Sequence, residues 1–206
     1  MKVTRSEPDY AWDFCGGHLA VDFTNTVGDR GAAPHEHFNT YGDVLSWAEA
    51  HEMLGPADIR RLRAAAQRNA TQAREAVVEM RALRESLYHV LLAAGSGRTP
   101  PRADLARLNA HVEMTFSRAH LAPRRGRLTL ACDDAGARSL SAPVTTAVVR
   151  AAIDLLTSGE AARVRMCADR TCAWLFVDAT RNHTRRWCDM AVCGNRDKVR
   201  RFRASH

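Results

Sequence analysis

The sequence predicts a mainly α chain in two parts: a helical N-terminal domain with a short β-hairpin over residues 1–160, and a small cysteine-stapled module over residues 161–206. Three observations predict this. Before residue 160, apolar residues recur at three- and four-residue steps in several blocks. After Gly159 the composition shifts from Ala and Leu to Cys, Trp and Arg. Within that last stretch, four of the six cysteines fall in two pairs of identical spacing.

The elements follow in order. The apolar run at 18–27 carries Leu19, Phe23 and Thr26/Val27 on a helical stripe, and Gly28-Asp29-Arg30-Gly31 turns the chain after it. Asp43 is placed to cap a helix through VLSWAEAHEML, which Gly55-Pro56 ends and restarts. From Pro56, Ile59, Leu62 and Ala66 share one face, with Arg60, Arg61, Arg63 and Arg68 on the other. The strongest period runs over 71–94, through Val77, Met80, Leu83/Arg84, Leu87 and Leu91, and Gly95-Ser96-Gly97 closes it. Pro100-Pro101 opens a helix whose expected buried stripe is Leu105, Leu108, Val112 and Phe116. Two β-like runs, HLAP and RLTLAC, flank a turn at Arg124, Arg125 and Gly126. A helix over 143–158, apolar on nearly every side, is expected at the centre of the core.

Composition excludes several classes. With 46% hydrophobic and 26% charged residues the chain is an ordinary globular one, neither disordered nor fibrous. No run approaches the roughly 18 apolar residues of a membrane helix. The opening MKVTRSEPDYAWDF has no apolar core of a secretory signal, so a cytoplasmic protein is expected. The charge is uneven. The whole net charge of +7 resides in residues 163–203, with eleven Lys/Arg against four Asp, and the remainder balances. A neutral body with a basic end points to a polyanion partner, most commonly nucleic acid.

A C-terminal piece of about 45 residues is too small to bury an adequate core unaided. Its staples are Cys167-x4-Cys172 and Cys188-x4-Cys193, fifteen residues apart. Four thiolates suit the tetrahedral preference of Zn²⁺ and leave no open position, which marks a structural rather than a catalytic ion. A reducing cytosol disfavours disulfides, and an iron–sulfur cluster is the remaining competitor for four cysteines. Between the pairs, WLFVDATRNHTRR reads as a strand, a polar turn carrying His183 and a return. GNRDKVRRFRA then reads as a helix beside the last ligand. That order is treble-clef-like. Removing the ion is expected to unfold this module and spare the body. Cys15 and Cys132 stand alone, as small buried hydrophobes do.

These residues resemble a known family. Cys193-Gly194-Asn195-Arg196, preceded by Trp174-Leu175-Phe176, Asp178, Arg181-Asn182 and Arg185-Arg186-Trp187, is similar to the CGNR zinc finger. Ala20-Val21-Asp22-Phe23-Thr24-Asn25-Thr26 and Tyr41-Gly42-Asp43-Val44-Leu45-Ser46-Trp47 resemble the ABATE domain that partners this finger. The resemblance implies a bacterial, mostly helical, stress-induced transcription regulator with a C-terminal zinc finger proposed to bind DNA.

On physical grounds the helix starting near Gly194 is the expected reading element. It carries Asn195, Arg196, Lys198, Arg200, Arg201 and Arg203, with Arg185 and Arg186 flanking it, and Val199 and Phe202 are expected to pack on Trp174 or Trp187. Zn²⁺ with four thiolates contributes −2, so the module is nearer +5. Arg165 and Arg181 are candidates for bonds to the body or the sulfurs, and Asn195 and Arg196 for orienting the knuckle. The body is expected to sense a small-molecule effector or to dimerise. Asp22, Asn25 and Arg30 form a candidate pocket, set against internal roles in which Asp22 pairs with Arg30 or caps a helix. An RNA- or protein-interaction module is the alternative. An enzyme is the weaker one, because no GxSxG, HExxH, P-loop or dinucleotide motif is present.

Overall fold

The computed structural model describes residues 12–124, 126–132 and 139–205. The expectations for the opening segment up to residue 11 and for Arg125 lie outside them. In chain order the elements are α1 (Leu19–Thr24), β1 (Val27–Gly28), β2 (His35–Glu36), α2 (Tyr41–Ala50), α3 (Pro56–Arg68), α4 (Ala70–Gly95), α5 (Arg102–Phe116), β3 (Ala119–Arg124), β4 (Arg127–Cys132), α6 (Ala142–Thr157), β5 (Val164–Met166), β6 (Leu175–Val177) and α7 (Asn195–Ala204). The strands form three separate antiparallel pairs, β1–β2, β3–β4 and β5–β6.

The core forms where helical stripes converge. α4 buries Val77, Met80, Leu83, Leu87 and Leu91, and α6 buries Val144, Val148, Val149, Ala152 and Leu155. The short α1 is buried along its length apart from Leu19, and Phe23 meets Phe38 and Trp47 of the next segment. α2 starts three residues earlier than expected. Thr40 is its cap and Asp43 returns the bond from the third helical position, a capping box.

α5 departs from its expected stripe. Leu108 is buried and Val112 packs half-buried on the core as expected, but the other buried residues are His111 and Thr115, while Leu105 and Phe116 lie 38% and 43% exposed. Ser141 and Thr145, themselves buried, line the same cavity as His111 and Thr115.

The C-terminal hairpin also differs. The return that ends WLFVDATRNHTRR is not a strand. β6 pairs with β5 instead, in the register Val164↔Val177 and Met166↔Leu175, so the first cysteine pair lies inside the hairpin. The segment after β6 is held by turns: Asp178 Oδ1 accepts from the Thr180 N–H and hydroxyl, and Asp178 Oδ2 accepts from the Arg185 N–H. Val164, Leu175 and Val177 belong to the same apolar cluster as α4 and α6. The hairpin is therefore built onto the helical body.

Candidate metal centre

The two cysteine pairs converge. Cys167 follows β5, and its N–H donates to the Trp174 carbonyl at 2.8 Å, closing the first knuckle. Cys172 is set by its N–H on the Asp169 carbonyl at 3.0 Å. In the second knuckle Asp189 accepts through Oδ1 from the Val192 N–H and through its carbonyl from Cys193 and Gly194. All four thiols are buried, with their sulfurs within 4.8 Å of one another.

The geometry fits a tetrahedral ion. Sulfurs each about 2.3 Å from a tetrahedral Zn²⁺ lie about 3.8 Å apart. Here Cys172 and Cys188 are 3.5 Å apart, and Cys188 and Cys193 are 3.7 Å apart. Such separations are far beyond the roughly 2 Å of a disulfide. Electrostatics point the same way. Thiols of Cys172 and Cys188 donating to Cys167 hold it well below the ordinary thiol range. Cys172 is raised by its Cys167 contact, and Cys188 by Cys15 and then Cys167. Burial raises Cys193. Four such groups ionise together only around a cation.

The string after the last ligand has a mechanical account. A Cβ at Gly194 would run into the Met190 sulfur. Asn195 Nδ2 ties the first turn of α7 to the Ala191 carbonyl at 2.8 Å. Arg196 reaches the Cys193 sulfur at 3.4 Å, Asp169 at 3.2 Å and Asp29 of the body at 3.7 Å. One guanidinium thus joins a ligand, the first knuckle and the body.

Residues 17–159 match the ABATE family, described as "putative stress-induced transcription regulator". The chain belongs to the ABATE family. Residues 163–206 match the CGNR zinc finger. No curated protein is similar enough to the chain to count as a match. Cys167, Cys172, Cys188 and Cys193 are accordingly the ligands of one structural zinc in a CGNR finger. The matched families are a regulator and a finger, neither of them an enzyme family. Among the described residues no helix is long and apolar enough to cross a membrane.

The other expected residues divide by where their side chains go. Arg185 is turned inward, over the Phe176 ring and onto the carbonyls of Cys15, Trp187 and Cys188. Arg186 lies over Trp187 and is exposed. Arg200 pairs with the buried Asp169 at 3.0 Å, and Arg201 with Asp197 at 3.1 Å. Lys198 and Arg203 are exposed on α7. Val199 and Phe202 do not pack beneath the helix; they are 48% and 64% exposed. The inner side is occupied by Arg196 and Arg200, and the Trp174 indole N–H is engaged by the Val27 carbonyl at 2.7 Å. Arg165 donates to the Gly95 and Ala162 carbonyls, and His183 occupies a left-handed turn at φ 50° with Nδ1 at the Asp178 carbonyl.

Asp22, Asn25 and Arg30 go three ways. Asp22 accepts from the Gly16 N–H at 2.8 Å and lies 3.6 Å from His51. Asn25 bonds the backbone of Leu175. Arg30 pairs with Glu85 rather than Asp22, bonds the Thr24 carbonyl and lies over the Tyr88 ring. Glu85 also holds the buried Arg84, which clamps Glu36 with two bonds of 2.7 Å.

Sequence reading assigned Asp169, Asp178 and Cys15 no supporting role at the metal centre. The two aspartates share a legible signal, an Asp-x-Thr string whose Thr N–H and hydroxyl both bond the Asp Oδ1. Cys15 carries no local signal; it is half-buried against the zinc ligands through tertiary packing.

Proposed function

We propose that this protein is a cytoplasmic DNA-binding transcription regulator: the finger, from about residue 161, meets DNA through α7, and the helical body senses an effector or dimerises. The observation that carries this is the state of α7. It is pinned at one edge by Arg196 and Arg200 on Asp169, and none of its residues is buried. Lys198, Arg201 and Arg203 remain exposed on it, with Arg186 on the preceding segment. Each cation that meets a phosphate releases counterions and adds to the salt dependence of binding. In this reading Arg185 and Asn195 hold the finger's own main chain, while Arg196 and Arg200 aim the helix.

The test is binding of the zinc-loaded protein to a random pool of duplex DNA at two salt concentrations. Enrichment of one sequence, with affinity falling steeply as salt rises, is the expected result. Lys198→Ala with Arg203→Ala should flatten the salt slope by about one unit per lost phosphate contact. Absence of salt-dependent binding would overturn the proposal. A second reading, a protein-docking finger, is favoured by exposed Met190, Val192, Val199 and Phe202; it predicts a partner whose binding is insensitive to salt.

A further inference from the structure

The polar turn of α5 has a counterpart across the fold. His111 and Thr115 face a cavity of about 230 Å³ that is also lined by Glu79 of α4, Ser139, Ser141 and Arg118. A helix–helix seam of this kind is normally closed by apolar side chains. Here Leu105, Met114 and Phe116 are left 38%, 45% and 43% exposed while the polar pair turns inward. Departures from local rules concentrate at functional or strained sites.

The lining is only partly satisfied. Glu79 Oε2 accepts from the hydroxyls of Ser139 at 3.0 Å and Ser141 at 2.5 Å, and among the described residues its Oε1 takes no hydrogen bond. His111, 7% exposed, has a buried Nδ1 with no partner. Burial also holds this imidazole below its ordinary pKa, so at neutral pH it is an uncharged donor or acceptor. Arg118 is exposed at the cavity edge. The space is below the roughly 300–1,000 Å³ of drug-sized pockets and suits a small metabolite.

We propose that this cavity is the effector site of the body and takes a small zwitterion of the α-amino-acid class. The ligand's ammonium meets the open Glu79 oxygen and its carboxylate meets Arg118, with His111 and Thr115 forming part of the wall. The proposal deepens the sensing role proposed for the body, and its test does not involve DNA.

The test uses the full-length, zinc-loaded chain and the standard α-amino acids, with their amines and deaminated acids as half-ligands. At about a hundredfold excess over Kd, at least one amino acid should raise the thermal midpoint by roughly 5 °C or more. The half-ligands should bind roughly ten- to a hundredfold more weakly, because each forfeits a charge-assisted contact. Glu79→Gln and Arg118→Ala should each cost a similar factor in calorimetric affinity. Arg118 is exposed, so its variant separates lost binding from lost folding. No response to any amino acid, which means a cavity filled by solvent alone, would overturn the proposal, as would an Arg118→Ala chain of undiminished affinity. Amino-acid binding without DNA binding would keep this site and remove the regulator reading; DNA binding without it would do the reverse.

Discussion

Asn25 at the end of α1 and Leu175 at the start of β6, 150 residues apart, exchange two hydrogen bonds: the Asn25 amide donates to the Leu175 carbonyl at 2.8 Å and accepts from its N–H at 3.0 Å. The side chain thus acts as a strand partner for the free edge of the two-stranded β5–β6 pair. Val177 donates to the Gly16 carbonyl at 2.8 Å, and the Gly31 N–H donates to Thr171 at 3.1 Å, where the body's turn comes so close that a Cβ would strike the Arg170 carbonyl. The zinc-bearing hairpin is seated on the body by main-chain bonds.

Asn25→Ala leaves the Leu175 N–H and C=O buried without partners, and each orphan costs about 1–3 kcal/mol. The variant should lose roughly 2–4 kcal/mol of stability in urea. Asn25→Asp should do little better, because a carboxylate cannot donate to the Leu175 carbonyl. Stability of Asn25→Ala within about 0.5 kcal/mol of wild type would show that water replaces both bonds.

Zinc removal should act on part of the module. Val164, Leu175 and Val177 sit in the body's core, so chelation should free the second knuckle and α7 while β5–β6 stays in place. Hydrogen exchange before and after chelation checks this: α7 amides should lose protection and the Leu175 amide should keep it. Simultaneous loss in both would mean that the ion holds the hairpin too. Cys188→Ser should abolish tight zinc binding.

The sequence carried the helices and the ligands because both are local. Three- and four-residue periodicity marks α3 and α4, an almost wholly apolar run marks α6, and two equal Cys-x4-Cys spacings mark the zinc ligands. It did not carry what tertiary pairing decides. α5 sets Leu108 and Val112 on the apolar core, yet it also buries His111 and Thr115 and leaves Leu105 and Phe116 exposed. β6 chooses β5 over the segment that follows it, since β5 brings Val164 into the core. Asp22, Asn25 and Arg30 look alike as polar residues near an apolar run. Only the fold sends them to Gly16, Leu175 and Glu85.

Asp169 is 0% exposed and lies under the finger helix. Burial would raise its pKa, but the Thr171 N–H, Arg200 and Arg196 hold its carboxyl below the usual range. Asp169→Asn discards both ion pairs and leaves Arg196 without its anchor beside Cys193. Outer partners of metal ligands typically contribute ten- to a hundredfold in affinity, so zinc should be held about that much more weakly in competition with a chromophoric chelator. Asp197→Asn breaks only the pairs along α7 to Arg200 and Arg201, which are worth about 0.3–0.5 kcal/mol, and should bind zinc as wild type does. Equal affinities in the two variants would remove Asp169 from the support of the site.

Burial of Asp22 makes the stability of the chain depend on pH. Burial raises its pKa from 3.8 to about 7, against the pull of the Gly16 N–H. The unfolded chain therefore releases this proton at lower pH than the folded one does. Between about pH 4 and 7 the folded state binds more protons, so stability falls as pH rises through that window and levels off above it. Asn keeps an oxygen for the Gly16 N–H and cannot ionise. Asp22→Asn should match wild type near pH 4 and exceed it at pH 8 by on the order of 2–4 kcal/mol, since a tenfold change in proton affinity is worth about 1.4 kcal/mol. The quantity to measure is the difference between the two proteins, from which the pH dependence of zinc binding cancels. His51 Nε2 lies 3.6 Å from Asp22 Oδ2, and burial lowers its own pKa, so the two groups share a site as neutral partners. If instead the proton sits on His51 as an ion pair, Asp22→Asn destabilises the chain at neutral pH, and the difference changes sign.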